Sequence, residues 1–247
     1  MSLRISAVSY LNTFPFVYGI QKSGFLDNYH LDLDVPSICA EKLKNGAVDI
    51  ALIPVGALPD LKSYEFITGY CIGAVSKVKT VLLLSHTSLD EIREIGLDYD
   101  SKTSVRLVQV LAKNYWNIKP EWKSLGPGEV AGDPGSNAIV AIGDKTFELV
   151  KKYPYCYDLA EEWINFTGLP FVFAAWVSTK KIPPELVASL NRALEFGVNN
   201  IGGTLEFFKD KLPIGEDCKF YLEHNISYHF DEKKKEGLNL FLSYLNQ

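Results

Sequence analysis

Apolar residues dominate positions 3–8 and then give way, at Ser9-Tyr10-Leu11-Asn12-Thr13-Phe14-Pro15, to small hydrogen-bonding side chains. The pattern predicts a buried first strand that runs into a polar loop. Thr13 followed two residues later by Pro15 predicts a helix start, with Thr as N-cap and Pro in the first turn, where its missing N–H costs nothing. That helix is expected from residue 14 to about 22. Leu31-Asp32-Leu33-Asp34-Val35 alternates as a half-exposed strand does. Ser37 can cap a helix through Leu43 that ends at Asn45-Gly46, and Val48-Asp49-Ile50-Ala51-Leu52-Ile53-Pro54 reads as a buried strand. Strand, helix, strand, helix, strand in this order points to an α/β protein with a mainly parallel sheet and right-handed crossovers.

Three β-rich runs follow, at 65–70, 71–75 and 78–85, the last long enough to cross between two lobes. Val105, Leu107, Val108, Leu111 and Ala112 have helical spacing behind a Ser101 N-cap. Residues 124–136 are a loop dense in Gly and Pro, 137–142 a buried strand ending in a Gly143-Asp144 turn, and a short helix is expected near 147–151. Residues 171–177 are long enough for a second crossing strand. Crossings near 80–86 and 172–178 would form a hinge, which predicts one lobe from residues 1–84 plus 179–247 and another from 85–178. Beyond Pro183-Pro184 the pattern turns helical, at about 185–199, 203–210, 216–225 and 231–245, and these helices are expected to cover the first lobe.

Composition narrows the class. The chain has 247 residues, 47% of them apolar and 22% charged, with a net charge of −5. That charge argues against nucleic acid or an anionic membrane as partner, although it leaves room for a local anion pocket. No apolar run approaches the ~20 residues of a membrane span. Arg4 and the strand-like residues after it leave no room for a signal peptide, so a cytoplasmic location is expected. Cys39, Cys71, Cys156 and Cys218 form no C-x-x-C pair and read as buried free thiols. His30, His86, His224 and His229 show no ligand spacing, and no metal is expected.

The candidate chemistry gathers where strands end. Ser9, Tyr10 and Asn12 fall at the carboxyl end of a strand and beside a helix N-terminus, where open α/β sheets bind anions. An ordinary βα turn rich in Ser and Asn is the alternative. Ser101, Thr103 and Ser104 crowd another helix start, where exposed N–H groups and the helix dipole attract a carboxylate, unless one caps and the others face solvent. Pro54, Val55 and Gly56 can bring backbone close to a ligand. Gly143-Asp144 is a further candidate, although Asp144 equally suits a helix cap.

The stretches "SAVSYLNTFPFVYGI", "VDIALIPVGAL", "LDYDSKTSVRLVQVL" and "AIVAIGD", in this order, resemble the MqnA family of menaquinone biosynthesis, the chorismate dehydratases of the futalosine route. The resemblance covers most of residues 4–178. It implies a two-lobed, periplasmic-binding-protein-like (type II) fold with a cleft between lobes. It also implies a cytoplasmic lyase that converts chorismate to 3-[(1-carboxyvinyl)oxy]benzoate and water without a cofactor. The family's active-site asparagine falls on Asn12, and its "G-P-V-x-S-V" hydroxyl falls on Thr80, where this chain has Ser76-Lys77 for Gly-Pro and Thr for Ser. The Ser101-Lys102-Thr103-Ser104 run and Gly143-Asp144 match. Two other functions share this fold: a non-catalytic binding protein for a small anion, and the later naphthoate-forming synthase of the same pathway.

Overall fold

The computed structural model describes residues 2–98, 101–126, 129 and 137–246. The chain opens with β1 (Leu3–Val8), α1 (Phe14–Lys22), β2 (Tyr29–Asp34), α2 (Pro36–Lys44) and β3 (Ile50–Pro54). β1 pairs in parallel with both β2 and β3, the arrangement expected from the alternation of elements. β4 (Glu65–Ala74) is one continuous strand where the apolar pattern suggested two. The second half of the chain's β structure begins at β5 (Val81–Ser85) and β6 (Glu94–Asp98). Then come α3 (Lys102–Asn114), β7 (Glu121–Leu125), β8 (Ala138–Ile142), α4 (Thr146–Leu149), β9 (Tyr155–Asp158) and α5 (Leu159–Thr167). β10 (Phe171–Ser178) precedes α6 (Pro184–Val198), α7 (Ile201–Phe207) and α8 (Cys218–Phe220), which continues as a π-helical turn, Tyr221–Asn225. β11 (Ser227–His229) and α9 (Glu232–Leu245) complete the chain. Among the described residues no helix is long and apolar enough to cross a membrane.

Two mixed sheets result, a six-stranded one ordered β11-β4-β10-β3-β1-β2 and a five-stranded one ordered β7-β6-β8-β5-β9. Every residue of β3, β5, β8 and β10 is buried. Each of these strands has a neighbour on both sides, which is why each reads as an unbroken apolar run. The edge strands β7 and β2 are largely exposed or half-exposed. β7, β9 and β11 carry no strand signal in the sequence, because short strands with exposed side chains show little periodicity, and β6, although largely buried, is a five-residue run bounded by Glu94 and Asp98 with Gly96 at its centre.

Neither expected crossing strand crosses. β5 pairs only within the five-stranded sheet, and β10 lies wholly in the six-stranded sheet, antiparallel to β3 and β4. The chain passes between sheets in residues 75–80 and again through α5 and 168–170, so we place the lobe exchange there, in place of 84/85 and 178/179. Two helix starts also differ from expectation. Thr13 makes no capping bond, because a 3-10 turn at Leu11–Thr13 leads directly into α1, and α2 begins at Pro36 behind Val35, without a bond from Ser37. Cys156 is exposed, whereas the other three thiols are buried as expected.

The C-terminal helices pack differently from one another. α6 lies against α1. α9 reaches the junction of the sheets, where the Phe241 ring stands edge-on to Trp163 of α5 and Phe171 of β10, at centroid distances of 5.9 and 5.1 Å.

Candidate active site

A cavity lies between the two sheets, at the carboxyl ends of β1, β3 and β8. The first sheet and its loops contribute Val8, Tyr10, Asn12, Thr13, Pro36, Pro54, Ile72, Phe173 and Ala174 to its wall. The second contributes Val78, Thr80, Val81, Ser101, Ser104, Ile142 and Gly143. None of these wall residues is ionisable near neutral pH. The chemistry on offer is a set of neutral hydrogen-bond donors and acceptors, Asn12, Thr13, Tyr10, Thr80, Ser101 and Ser104, against an otherwise apolar surface.

Tyr10, Asn12, Pro54, Thr80, Ser101, Ser104 and Gly143, seven of the sequence candidates, thus meet around one space although they come from both lobes. Gly143 has φ +72°, and a Cβ there would come within 3.1 Å of the Tyr10 ring, so the ring of one lobe rests on bare backbone of the other. Ser101 is the N-cap of α3: its Oγ accepts the Ser104 N–H at 3.3 Å and lies 3.0 Å from the Ser104 Oγ. One hydroxyl therefore caps, and both still border the cavity.

Ser9, Val55, Thr103 and Asp144 do not line it. Ser9 is exposed, with its backbone N–H bonded to the Asp34 carbonyl. Val55 is fully buried in the core behind Pro54. The Thr103 hydroxyl is spent twice, accepting the Gly56 N–H at 2.9 Å and donating to the Phe173 carbonyl at 3.0 Å, so it ties the first turn of α3 to the first lobe. Asp144 reaches across in the opposite direction. Its two carboxylate oxygens accept the Leu11 N–H at 3.2 and 3.1 Å. Both residues join the lobes next to the cavity.

Residues 3–247 match the family described as menaquinone biosynthesis. The chain belongs to that family. Among its curated relatives, a chorismate dehydratase of Thermus thermophilus is 24% identical over 94% of this chain and 91% of its own length. One from Campylobacter jejuni is 26% identical over 95% and 94%. A crystal structure of a protein from Archaeoglobus fulgidus superposes with a TM-score of 0.77 at 16% identity, covering 99% of this chain and 97% of the other. The periplasmic aliphatic sulphonate binding protein of Escherichia coli gives 0.61 at 12% identity over 99% and 93%. The fold of this menaquinone-biosynthesis family member is therefore periplasmic-binding-protein-like, with two lobes and the cavity between them.

Two residues bearing on that cavity carried no signal in the sequence. Tyr221 and Tyr228, both buried, come from the C-terminal segment. The Tyr221 hydroxyl is 2.8 Å from the Thr80 Oγ1, and the Tyr228 hydroxyl donates to the Asn12 carbonyl at 3.1 Å. The segment is tied down by Asn225, whose Nδ2 donates to the Lys77 carbonyl at 2.9 Å in the passage between lobes. Two tyrosines in a stretch without a motif, more than two hundred residues from Asn12, can be assigned to the cavity only in three dimensions.

Burial raises the Asp144 carboxyl to about 6, against the opposing pull of the Leu11 N–H. A carboxyl raised in the fold above its unfolded value of about 3.9 takes up its proton more readily when folded. Its ionisation therefore costs nothing below about pH 4, and the full cost is present above about pH 6. Asp144→Asn keeps an acceptor for Leu11 and removes the charge. The variant is expected to exceed the wild type in stability by roughly 1–3 kcal/mol at pH 8, with the difference gone at pH 4. Denaturant unfolding at the two pH values checks this, and an equal difference at both would show that the carboxylate is not desolvated.

Proposed function

We propose that this chain is a chorismate dehydratase, a lyase that converts chorismate to 3-[(1-carboxyvinyl)oxy]benzoate and water. The observation that carries the reading is the match, over nearly the whole length of each, to relatives named chorismate dehydratase. The cavity chemistry supports it. A compact dicarboxylate with a cyclic, partly apolar body suits apolar walls carrying neutral donors, and the α3 N-terminus with Ser101 and Ser104 favours a carboxylate.

The reaction breaks a ring C–H bond and the neighbouring C–O bond, and the electron pair of the former completes the aromatic ring. Among the described residues no carboxylate, imidazole or amine borders the cavity to take the proton. The enolpyruvyl carboxylate of the substrate can take it and hand it to the departing hydroxyl, which leaves as water. The protein then acts by holding the substrate in that geometry, offering hydrogen bonds to the departing oxygen from Asn12 and Thr80, and excluding bulk water by closure of the lobes. The expected cytoplasmic location goes with this reading.

Incubating the purified protein with chorismate tests it. Ultraviolet absorbance should report the aromatic ring, and mass spectrometry a product lighter by one water. Chorismate recovered intact would sink the reading. In the same assay, Ser104→Ala removes one donor to a substrate carboxylate and should raise KM by roughly 10–150-fold, the equivalent of about 1.5–3 kcal/mol for a hydrogen bond to a charged group. An unchanged KM would leave the Ser104 hydroxyl with no task beyond its contact with Ser101.

A further inference from the structure

We propose that Tyr221 is a positioning residue of this cavity, whose phenol fixes the direction in which Thr80 presents its proton to the substrate. The inference rests on the dehydratase reading and extends it to a part of the chain that carries no recognisable motif.

Tyr221 opens a π-helical turn, a rare conformation that recurs at functional sites. It is 3% exposed, and its ring meets Phe147 edge-on at 5.4 Å, which fixes where the hydroxyl lies. Burial raises its pKa far above the usual value, so the group is a neutral phenol with one proton to give. That proton has one of two destinations, because Thr80 and Tyr221 share a single hydrogen bond of 2.8 Å in which either oxygen could donate.

Burial decides between them. Thr80 Oγ1 lies within hydrogen-bond distance of the buried Tyr221 hydroxyl, and a buried phenol proton left without an acceptor is costly, whereas the Thr80 hydroxyl also borders the cavity and can turn its own proton there. The Tyr221 proton therefore goes to Thr80 Oγ1. The Thr80 proton is left for the substrate, since the Val78 carbonyl, its other acceptor, is at the long distance of 3.4 Å. The phenol thus polarises a donor on the cavity wall, where the departing hydroxyl needs one. No proton is transferred between the two hydroxyls. Tyr228 holds the Asn12 backbone from behind, so the C-terminal segment positions both residues of the wall.

Tyr221→Phe tests the proposal, since it keeps the ring and its contact with Phe147. With chorismate, kcat should fall by about 10–100-fold and KM should change by less than about 3-fold, the signature of an interaction made in the transition state. In a Thr80→Val background the same substitution should cost less than about 3-fold in kcat, because the two hydroxyls act as one unit. A purely structural tyrosine would lower the melting temperature and leave kcat within about 2-fold, or its effect would multiply with that of Thr80→Val; either result overturns the proposal. If Tyr221→Phe does not fold, Phe147→Leu frees the ring that places the phenol and should give the same split between kcat and KM, and an unchanged kcat there overturns the proposal. A wild-type protein that leaves chorismate unchanged overturns the dehydratase reading and this inference together. An active wild type alongside an equally active Tyr221→Phe overturns this inference alone.

Discussion

Asn12→Ala is expected to lower turnover of chorismate by about 10²–10³-fold, the usual cost of losing one oriented donor at a developing negative charge. Asn12 reaches the cavity wall on the loop after β1, and it is held from two sides, by Thr13 at its side-chain oxygen and by Tyr228 at its backbone carbonyl. A side chain fixed in this way gives up little entropy when the substrate arrives, so its removal should fall on kcat more than on KM. Asn12→Asp is the sharper variant. It preserves size but places an anion among neutral donors and opposite a dianionic substrate, which like-charge repulsion penalises, so KM should rise as well. The pH profile carries separate information. None of the four histidines borders the cavity, and His86 stacks on Tyr153 away from it. Wild-type turnover should therefore be nearly flat from about pH 7 to 9, above the range in which Asp144 titrates. Steady-state kinetics of the variants and of the wild type across that range test the account. A steep limb near pH 7 to 8, or an Asn12→Ala enzyme with undiminished kcat, would mean that a protein base has been overlooked and that Asn12 is not part of the chemistry.

Gly197→Ala should have the largest effect on stability. α1 and α6 touch backbone to backbone: a Cβ on Gly197 would fall on the Pro15 carbonyl oxygen, and one on Gly19 would fall on the Ala193 carbonyl oxygen. Neither neighbour is a flexible side-chain end that can swing away, so the helices must separate along the contact. Forcing this in a close-packed interior costs more than about 3 kcal/mol, which corresponds to a fall in melting temperature of roughly 6–12 °C for a domain of this size. Gly202→Ala is the control. It sits inside α7 with open space where the methyl would go, so it should be neutral or raise stability by about 0.4–1 kcal/mol. Thermal unfolding of the two variants decides the point, and equal melting temperatures would show that the helix contact yields without cost. Because α1 follows directly on the loop that carries Asn12 and Thr13, Gly197→Ala should also disturb the cavity.

The sequence by itself determined the central strands, the first helices and the family. β3, β8 and β10 are legible because a strand with neighbours on both sides and covered faces must be almost wholly apolar, and composition records that directly; β1 is legible in the same way apart from its exposed Arg4 and the buried Ser6. The loop after β1 and the start of α3 stand out in the sequence because small hydroxyls and amides at a helix N-terminus exceed what capping needs, and Asn12, Ser101 and Ser104 from them border the cavity. Tertiary structure decided the rest. Edge strands such as β7 and β11 owe their existence to a partner far away in the chain, and their own residues show little preference. The exchange of the chain between sheets falls in 75–80 and 168–170 because β5 and β10 are held by long-range pairing, which run length does not encode. Thr103 and Asp144 look like ligand groups in one dimension. In three dimensions their oxygens are taken by Gly56, Phe173 and Leu11, because a short polar side chain bonds whatever backbone the other lobe brings within reach. Tyr221 is the converse case, a residue without a motif that acquires its place only when the C-terminal segment returns to Thr80, since a hydrogen bond depends on distance in space and sequence separation leaves no trace of it.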